Sequence, residues 1–127
     1  NAKCSLGFTE ALLRGIGCNW LVCLAVFAAA ASTETIGKIA ALWFPTMAFV
    51  ALGMEHCIAN MFFIPLGILT GTDPRYIALA EAGKAAALKA DFYSFVAGNL
   101  VPVTIGNIIG GSVLVGMLYL AANIKKA

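Results

Sequence analysis

The chain has 127 residues, of which 61% are hydrophobic and 11% are charged, with a formal net charge of +2. Soluble domains carry roughly 45–50% apolar and about 25% charged residues, so this composition excludes a freely soluble globular protein and a disordered chain. The small net charge also excludes electrostatic binding to nucleic acid, and the mean hydropathy of +0.93 indicates that the lipid bilayer is the solvent.

Three apolar stretches follow one another and predict an all-α membrane protein with three transmembrane helices. The first predicted helix covers about residues 9–31, the second about 39–70, and the third about 92–122. At 1.5 Å per residue the first matches a hydrocarbon core of about 30 Å. The third would span roughly 45 Å, so it must tilt or protrude from the membrane.

The second stretch is predicted to be a helix broken near residues 53–56, where Gly53 precedes the ionisable pair Glu55-His56. An ionisable side chain in hydrocarbon costs about 2.5–3.5 kcal/mol on insertion scales, so it faces a cavity or a partner. Backbone groups freed by a break are tolerated only where they line a cavity or are buried in protein. The half-helix that follows would aim a positive N-terminus at an anion.

Two polar connections join the predicted helices. In residues 32–38, Ser32 or Thr33 is available as the N-cap of the second helix. Residues 72–91 open with the turn signal Asp73-Pro74 and predict a short amphipathic helix at the membrane interface. Three crossings place the basic residues on two sides of the membrane, five on the side of residues 70–91 and three on the other. Because cytoplasmic loops are richer in Lys and Arg, this count places residues 70–91 in the cytoplasm. The five are Lys3, Arg14, Arg75, Lys84 and Lys89, and the three are Lys38, Lys125 and Lys126.

The polar residues inside the apolar stretches are the candidate site. His56 is the only histidine, and an unperturbed pKa of about 6.5 allows it to exchange a proton near neutrality; the alternative is a hydrogen-bonded core histidine. Glu55 either caps a helix or otherwise satisfies free backbone groups, or it contacts the permeant. Asn19 and Asn60 either join helices or line the site. Phe49 is either ordinary apolar bulk or a hydrophobic gate.

Small residues carry the remaining signals. The four cysteines form no CxxC pair, and we interpret these cysteines as buried hydrophobes. Since there is also no second histidine, we expect neither a metal site nor a cofactor. Gly106 and Gly110 form a GxxxG motif, which predicts close helix packing. Residues 1–15 do not form a signal peptide, and since the chain begins at Asn1 without methionine, we expect a truncated chain.

Three strings resemble the formate/nitrite transporter family: RGIGCNWLVCLAVF at 14–27, FVALGMEHCIANMFFIPLG at 49–67 and NLVPVTIGNIIGG at 99–111. The resemblance covers essentially the whole chain. It implies a pentameric, multi-pass channel of the inner (plasma) membrane for small weak-acid anions such as formate, nitrite or hydrosulfide, and not an enzyme. Family members have six helices in two inverted halves with an aquaporin-like architecture. This sequence resembles the second half, so the expected partner is the N-terminal half of the same channel.

The resemblance also implies roles for individual residues. His56 matches a central pore histidine between two hydrophobic constrictions, where it would assist proton-linked passage. Phe49 matches the aromatic residue of the cytoplasmic-side constriction, and Val22 matches an apolar residue of the periplasmic-side one. Asn19 and Lys3 match a polar pair near the central chamber that attracts the anion and tunes the histidine. Two more residues would support the site: Glu55 and Asn60.

Family topology places residues 70–91 outside the cell, and we prefer it because the margin of the charge count is small. Two alternatives to the split channel remain. The first is a dual-topology protein whose copies pair antiparallel to rebuild the inverted repeat, a reading that a nearly balanced Lys/Arg count favours. The second is a haem-binding membrane anchor subunit with His56 as axial ligand, which would need a second histidine from another subunit.

Overall fold

The computed structural model describes residues 2–83 and 90–124, and the regular structure within them is helical. A 3-10 turn at Ala2–Ser5 precedes five helices. These are α1 (Phe8–Ala31), α2 (Thr35–Ala51), α3 (Cys57–Gly71), α4 (Pro74–Ala82) and α5 (Ser94–Ile124). In the described ranges, α1 and α5 are the two helices long and apolar enough to cross a membrane by length and composition.

The helix bounds differ from the sequence-based ones mainly at the second stretch, which begins at Thr35 instead of residue 39 and is interrupted at residues 52–56. The helix expected after Asp73-Pro74 is present as α4, with the Asp73 carboxylate accepting from the Arg75 N–H at 2.9 Å. Its predicted continuation through residues 84–89, and the basic residues counted at 84, 89, 125 and 126, lie outside the described residues.

The backbones of α1 and α5 touch along a seam of glycines. A Cβ added to Gly106 would overlap the carbonyl oxygen of Leu12, and one added to Gly110 would overlap that of Ile16. A Cβ on Gly15 would lie 2.8 Å from the Val103 carbonyl oxygen. The close packing predicted from GxxxG is therefore present, and it fixes α1 against α5 at the level of the helix break.

α2 and α3 both run in the direction opposite to α1 and α5. Farther along, the rings of Phe27 and Tyr119 lie 4.0 Å apart between centroids, so α1 and α5 run parallel. The chain returns along α1 as α2, and α3 then runs back along the first part of α5, where Asn60 meets Asn99. The interruption between α2 and α3 thus lies beside the middle of α5.

Two π-helical parts widen α5, at Ser94–Leu100 and Ile109–Met117. The first ends just before Pro102, where the Val101 N–H bonds to the carbonyl of Val96, five residues back. A proline ring crowds the carbonyl four residues earlier and donates no hydrogen bond. The proline is therefore accommodated by a wide turn in a continuous helix.

The expected N-cap at Ser32 or Thr33 is wrong. Glu34 occupies the N-cap position of α2 without a side-chain capping bond. Ser32 instead ends α1, its N–H bonding back to the Ala29 carbonyl, while its hydroxyl donates to the Glu34 carbonyl at 3.1 Å. Because α1 ends one residue before Ser32 and α2 begins three residues after it, the hydroxyl bonds within the connection and does not cap α2.

No residue of α2 is buried within this chain. Its outer face presents a groove of about 600 Å³ with large apolar side chains that include Ile39, Leu42, Trp43, Met47 and Val50. An apolar face of this kind needs lipid or protein against it.

Candidate functional site

The interruption between α2 and α3 is a tight turn followed by residues 54–56, which lie outside regular helix. Gly53 adopts φ +63°, a left-handed conformation that glycine tolerates without a Cβ clash. The Met54 N–H bonds back to the Phe49 carbonyl at 3.0 Å and closes α2. His56 has extended backbone angles and is the N-cap of α3, where its Nδ1 accepts from the Ala59 N–H at 3.4 Å.

The backbone groups freed by the break find partners on α1 and α5. The Glu55 N–H donates to the Arg14 carbonyl at 3.4 Å, and the Arg14 guanidinium donates to the Gly53 carbonyl at 3.2 Å. The Asn107 amide donates to the Glu55 carbonyl at 3.0 Å and accepts from the Cys57 N–H at 2.9 Å. Irregular backbone is thereby held inside protein, as an apolar surrounding demands.

His56 and Phe49 lie side by side across the break. Their ring centroids are 6.2 Å apart and the ring planes meet at 30°, and both residues are half-buried within this chain. The two residues are seven positions apart, and a regular helix would separate them along its axis. The break therefore brings these two predicted pore residues together.

Glu55 is buried, and its carboxylate accepts an ion pair and two amide hydrogen bonds. Its carboxylate, 2% exposed as a residue, accepts from the Lys3 ammonium at 2.8 Å. The Asn60 and Asn99 amides donate to its other oxygen at 2.6 and 3.1 Å, and Asn99 also donates to the Lys3 carbonyl at 2.9 Å. Since the carboxylate is taken up by these donors, Glu55 does not cap α3; His56 holds that position.

Asn19 and Lys3 bond to separate parts of the molecule. The Asn19 amide donates to the main-chain carbonyl of Asn107 at 2.7 Å, whereas Lys3 pairs with Glu55. Within the described residues no hydrogen bond joins the two. Val22 lies one turn beyond Asn19 on α1 and is half-buried.

Sequence reasoning missed three residues that hold the break: Arg14, Asn99 and Asn107. The two asparagines lie in the NLVPVTIGNIIGG string, which was interpreted through its glycines. A polar amide inside an apolar helix is itself a signal of a buried partner. Both are buried here, at 0% and 4% exposure, so that signal could have found them.

Two solved channel structures are similar to this chain. The chain is similar to a pentameric formate channel with formate bound, with a TM-score of 0.83 and 37% identity, covering 97% of this chain and 49% of that one. It is also similar to an FNT family ion channel, with a TM-score of 0.74 and 32% identity, covering 95% of this chain and 42% of that one. Both likenesses cover nearly all of this chain.

Sequence comparison gives the same result. The probable formate transporter of Methanothermobacter thermautotrophicus is 46% identical over 122 residues, which are 96% of this chain and 38% of that protein. The formate channel FocB of Escherichia coli is 40% identical over 121 residues, 94% of this chain and 43% of that protein. The chain spans about two fifths of the length of these relatives. The formate/nitrite transporter profile matches residues 1–121, and the chain belongs to that family.

Proposed function

We propose that this chain is the C-terminal half of a membrane channel for small weak-acid anions, with formate as the first substrate. Relatives and structural neighbours named as formate channels support the substrate. The observation that carries the proposal is the broken helix, which brings His56 and Phe49 together at the N-terminus of α3. Family membership also favours a channel over the haem-binding anchor subunit.

In the proposed channel α2 and α3 form one crossing together. They have 17 and 15 residues, or about 25 and 22 Å, and each is shorter than a hydrocarbon core of about 30 Å. With α1 and α5 this makes three crossings of the inner membrane, half of a six-helix inverted repeat. The N-terminal half of the channel would cover part of the apolar surface, and the complete channels would assemble as homopentamers.

The charges around the break decide how an anion is stabilised there. Glu55 neutralises Lys3 at 2.8 Å, so the ammonium contributes little net positive potential. The N-terminus of α3 carries the equivalent of roughly +0.5 elementary charge, and the imidazole of His56 lies at that terminus. An anion beside His56 is therefore stabilised by the helix end and by a hydrogen bond or a proton from the imidazole.

The conjugate bases of weak acids benefit most from this arrangement. A bare charge would pay a large desolvation cost in the apolar constriction that we propose at Phe49. Formate, hydrosulfide and nitrite can each accept a proton and cross the slit neutral, whereas chloride gains nothing useful from the same transfer. Only a proton moves, so the proposed activity is transport and not enzymatic catalysis.

The test measures formate flux into proteoliposomes that contain the full-length protein, as a function of pH. His56→Phe is expected to lower formate flux roughly 10- to 100-fold and to flatten its pH dependence, since a hydrogen bond to a charged group contributes about 1.5–3 kcal/mol. Phe62→Leu, an exposed position on α3, is the control and should behave as wild type. An unchanged pH profile and an unchanged formate-to-chloride ratio in His56→Phe would overturn the proposal.

A further inference from the structure

One side chain, Asn107, binds the peptide groups on both sides of His56. Its Oδ1 accepts from the Cys57 N–H at 2.9 Å, and its Nδ2 donates to the Glu55 carbonyl at 3.0 Å. The same Nδ2 donates to the Gly15 carbonyl of α1 at 2.8 Å. A single buried amide on α5 thus connects the break to α1.

Asn107 is itself held in place by its surroundings. The Asn19 amide donates to its main-chain carbonyl at 2.7 Å. A Cβ on Gly15 would lie 3.3 Å from its Nδ2, so α1 packs tightly against this side chain. The side chain therefore has little freedom to follow the break if the break moves.

The direct contacts of His56 are weak by comparison. Its Nδ1 accepts from the Ala59 N–H at 3.4 Å, which is long for a hydrogen bond, and the Phe49 ring centroid is 6.2 Å away. The position of the imidazole is accordingly determined by the backbone that carries it, at Glu55 and Cys57. Asn107 holds that backbone at both points.

We propose that Asn107 is a positioning residue for His56: by fixing the two flanking peptide groups it determines where the imidazole lies along the anion path. This inference rests on the proposed function of His56. Asn107→Ala leaves a buried carbonyl and a buried N–H without partners. Asn107→Asp keeps an acceptor for Cys57 but turns a carboxylate oxygen toward the carbonyls of Glu55 and Gly15.

Two measurements on the full-length protein test this. The first is the rate at which iodoacetamide alkylates Cys57 in detergent, followed by peptide mass spectrometry. Loss of the buried bonds in Asn107→Ala should raise this rate roughly tenfold through local opening of the break. Cys18, fully buried on α1, is the internal reference and should react as slowly as in wild type.

The second measurement is the pH profile of formate flux in proteoliposomes. The charged groups bonded to the break, Arg14 to Gly53 and Lys3 to Glu55, are unchanged in the variants. Asn107→Ala should flatten the profile as His56→Phe does, and Asn107→Asp should do the same. The matched control is Asn123→Ala, since Asn123 lies on the same helix and, among the described residues, its amide bonds only to the Tyr119 carbonyl one turn back.

The outcomes separate this inference from the proposed function. If Asn107→Ala keeps the wild-type pH profile while His56→Phe loses it, Asn107 does not position His56 and the inference alone is overturned. If Cys18 and Cys57 become reactive together, Asn107 supports the whole fold, which also overturns it. If His56→Phe keeps the wild-type profile, the proposed function fails and the inference fails with it.

Discussion

Gly106→Ala should separate α1 from α5 and destabilise the protein. The added Cβ would overlap the Leu12 carbonyl oxygen and lie 3.0 Å from the Ile16 nitrogen. These are backbone atoms of a helix, so neither can turn aside as a flexible side chain would. Overpacking of this kind costs about 1–3 kcal/mol, while replacing glycine by alanine inside a helix returns up to about 1 kcal/mol. Because the clash is with backbone, we take the upper part of this range, about 2–3 kcal/mol. Less about 1 kcal/mol for the gain in helix propensity, we expect a net loss of about 1–2 kcal/mol in the free energy of unfolding.

Gly67→Ala is the matched control, because nothing lies within 4 Å of a Cβ built on Gly67 in α3. It should leave the stability unchanged or raise it by up to about 1 kcal/mol. The assay is unfolding of the detergent-solubilised protein with increasing SDS, followed by helical circular dichroism and by fluorescence of Trp20, whose backbone adjoins Gly110. A Gly106→Ala protein as stable as Gly67→Ala would refute the argument that the two backbones are in contact.

Further predictions concern the ion pairs and the polypeptide itself. Lys3→Met should lower the free energy of unfolding by about 1–3 kcal/mol in the same SDS titration, less than for a fully buried pair because the Lys3 side chain is 38% exposed. The double variant Lys3→Met with Glu55→Gln should recover at least half of this loss. Purely additive losses of the two variants would contradict the coupling. The side-chain and then the backbone hydrogen bonds from Arg75 lower the pKa of Asp73, so its contribution to α4 is fully present above the ordinary carboxyl pKa of about 3.9 and is lost as pH falls through the lowered value. Hydrogen exchange of α4 amides, corrected for intrinsic rates, should show this loss in wild type and not in Asp73→Asn. Native and denaturing mass spectrometry should find a polypeptide at least about twice 13.2 kDa, or a second polypeptide of similar size, in a pentameric complex; a lone 13.2 kDa species in an even-numbered oligomer would favour the dual-topology alternative.

The broken helix could be anticipated from local chemistry alone. Gly53 next to an ionisable pair inside an apolar stretch conflicts with a regular membrane helix, and the structure resolves this conflict with a positive φ at Gly53 and an N-cap at His56. The glycine seam was equally accessible, because close helix approach requires the absence of a side chain at a regular spacing. The sequence signal of each feature lies within about two helical turns, although the seam itself joins Gly106 to Leu12 of a distant helix.

The partners of the buried polar groups could not be derived in this way. Glu55 bonds to residues 52 and 44 positions away, at Lys3 and Asn99, and Asn107 bonds to Gly15 across 92 positions. Periodicity and composition state that such a side chain must have a partner but not which one, since the choice follows from how α1, α3 and α5 pack. The alternative in which Glu55 caps a helix is wrong for this reason, because its carboxylate bonds to partners distant in the sequence.

The pairing of Lys3 with Glu55 changes the account of anion attraction in the proposed channel. A free ammonium at this depth would draw any anion, chloride included, and would hold it by Coulomb attraction without regard to its basicity. With Lys3 neutralised at 2.8 Å, attraction is left to the end of α3 and to His56, and only the latter distinguishes anions by their affinity for a proton. Lys3→Met should therefore disturb the stability of the break more than the preference for formate over chloride, whereas His56→Phe should do the reverse.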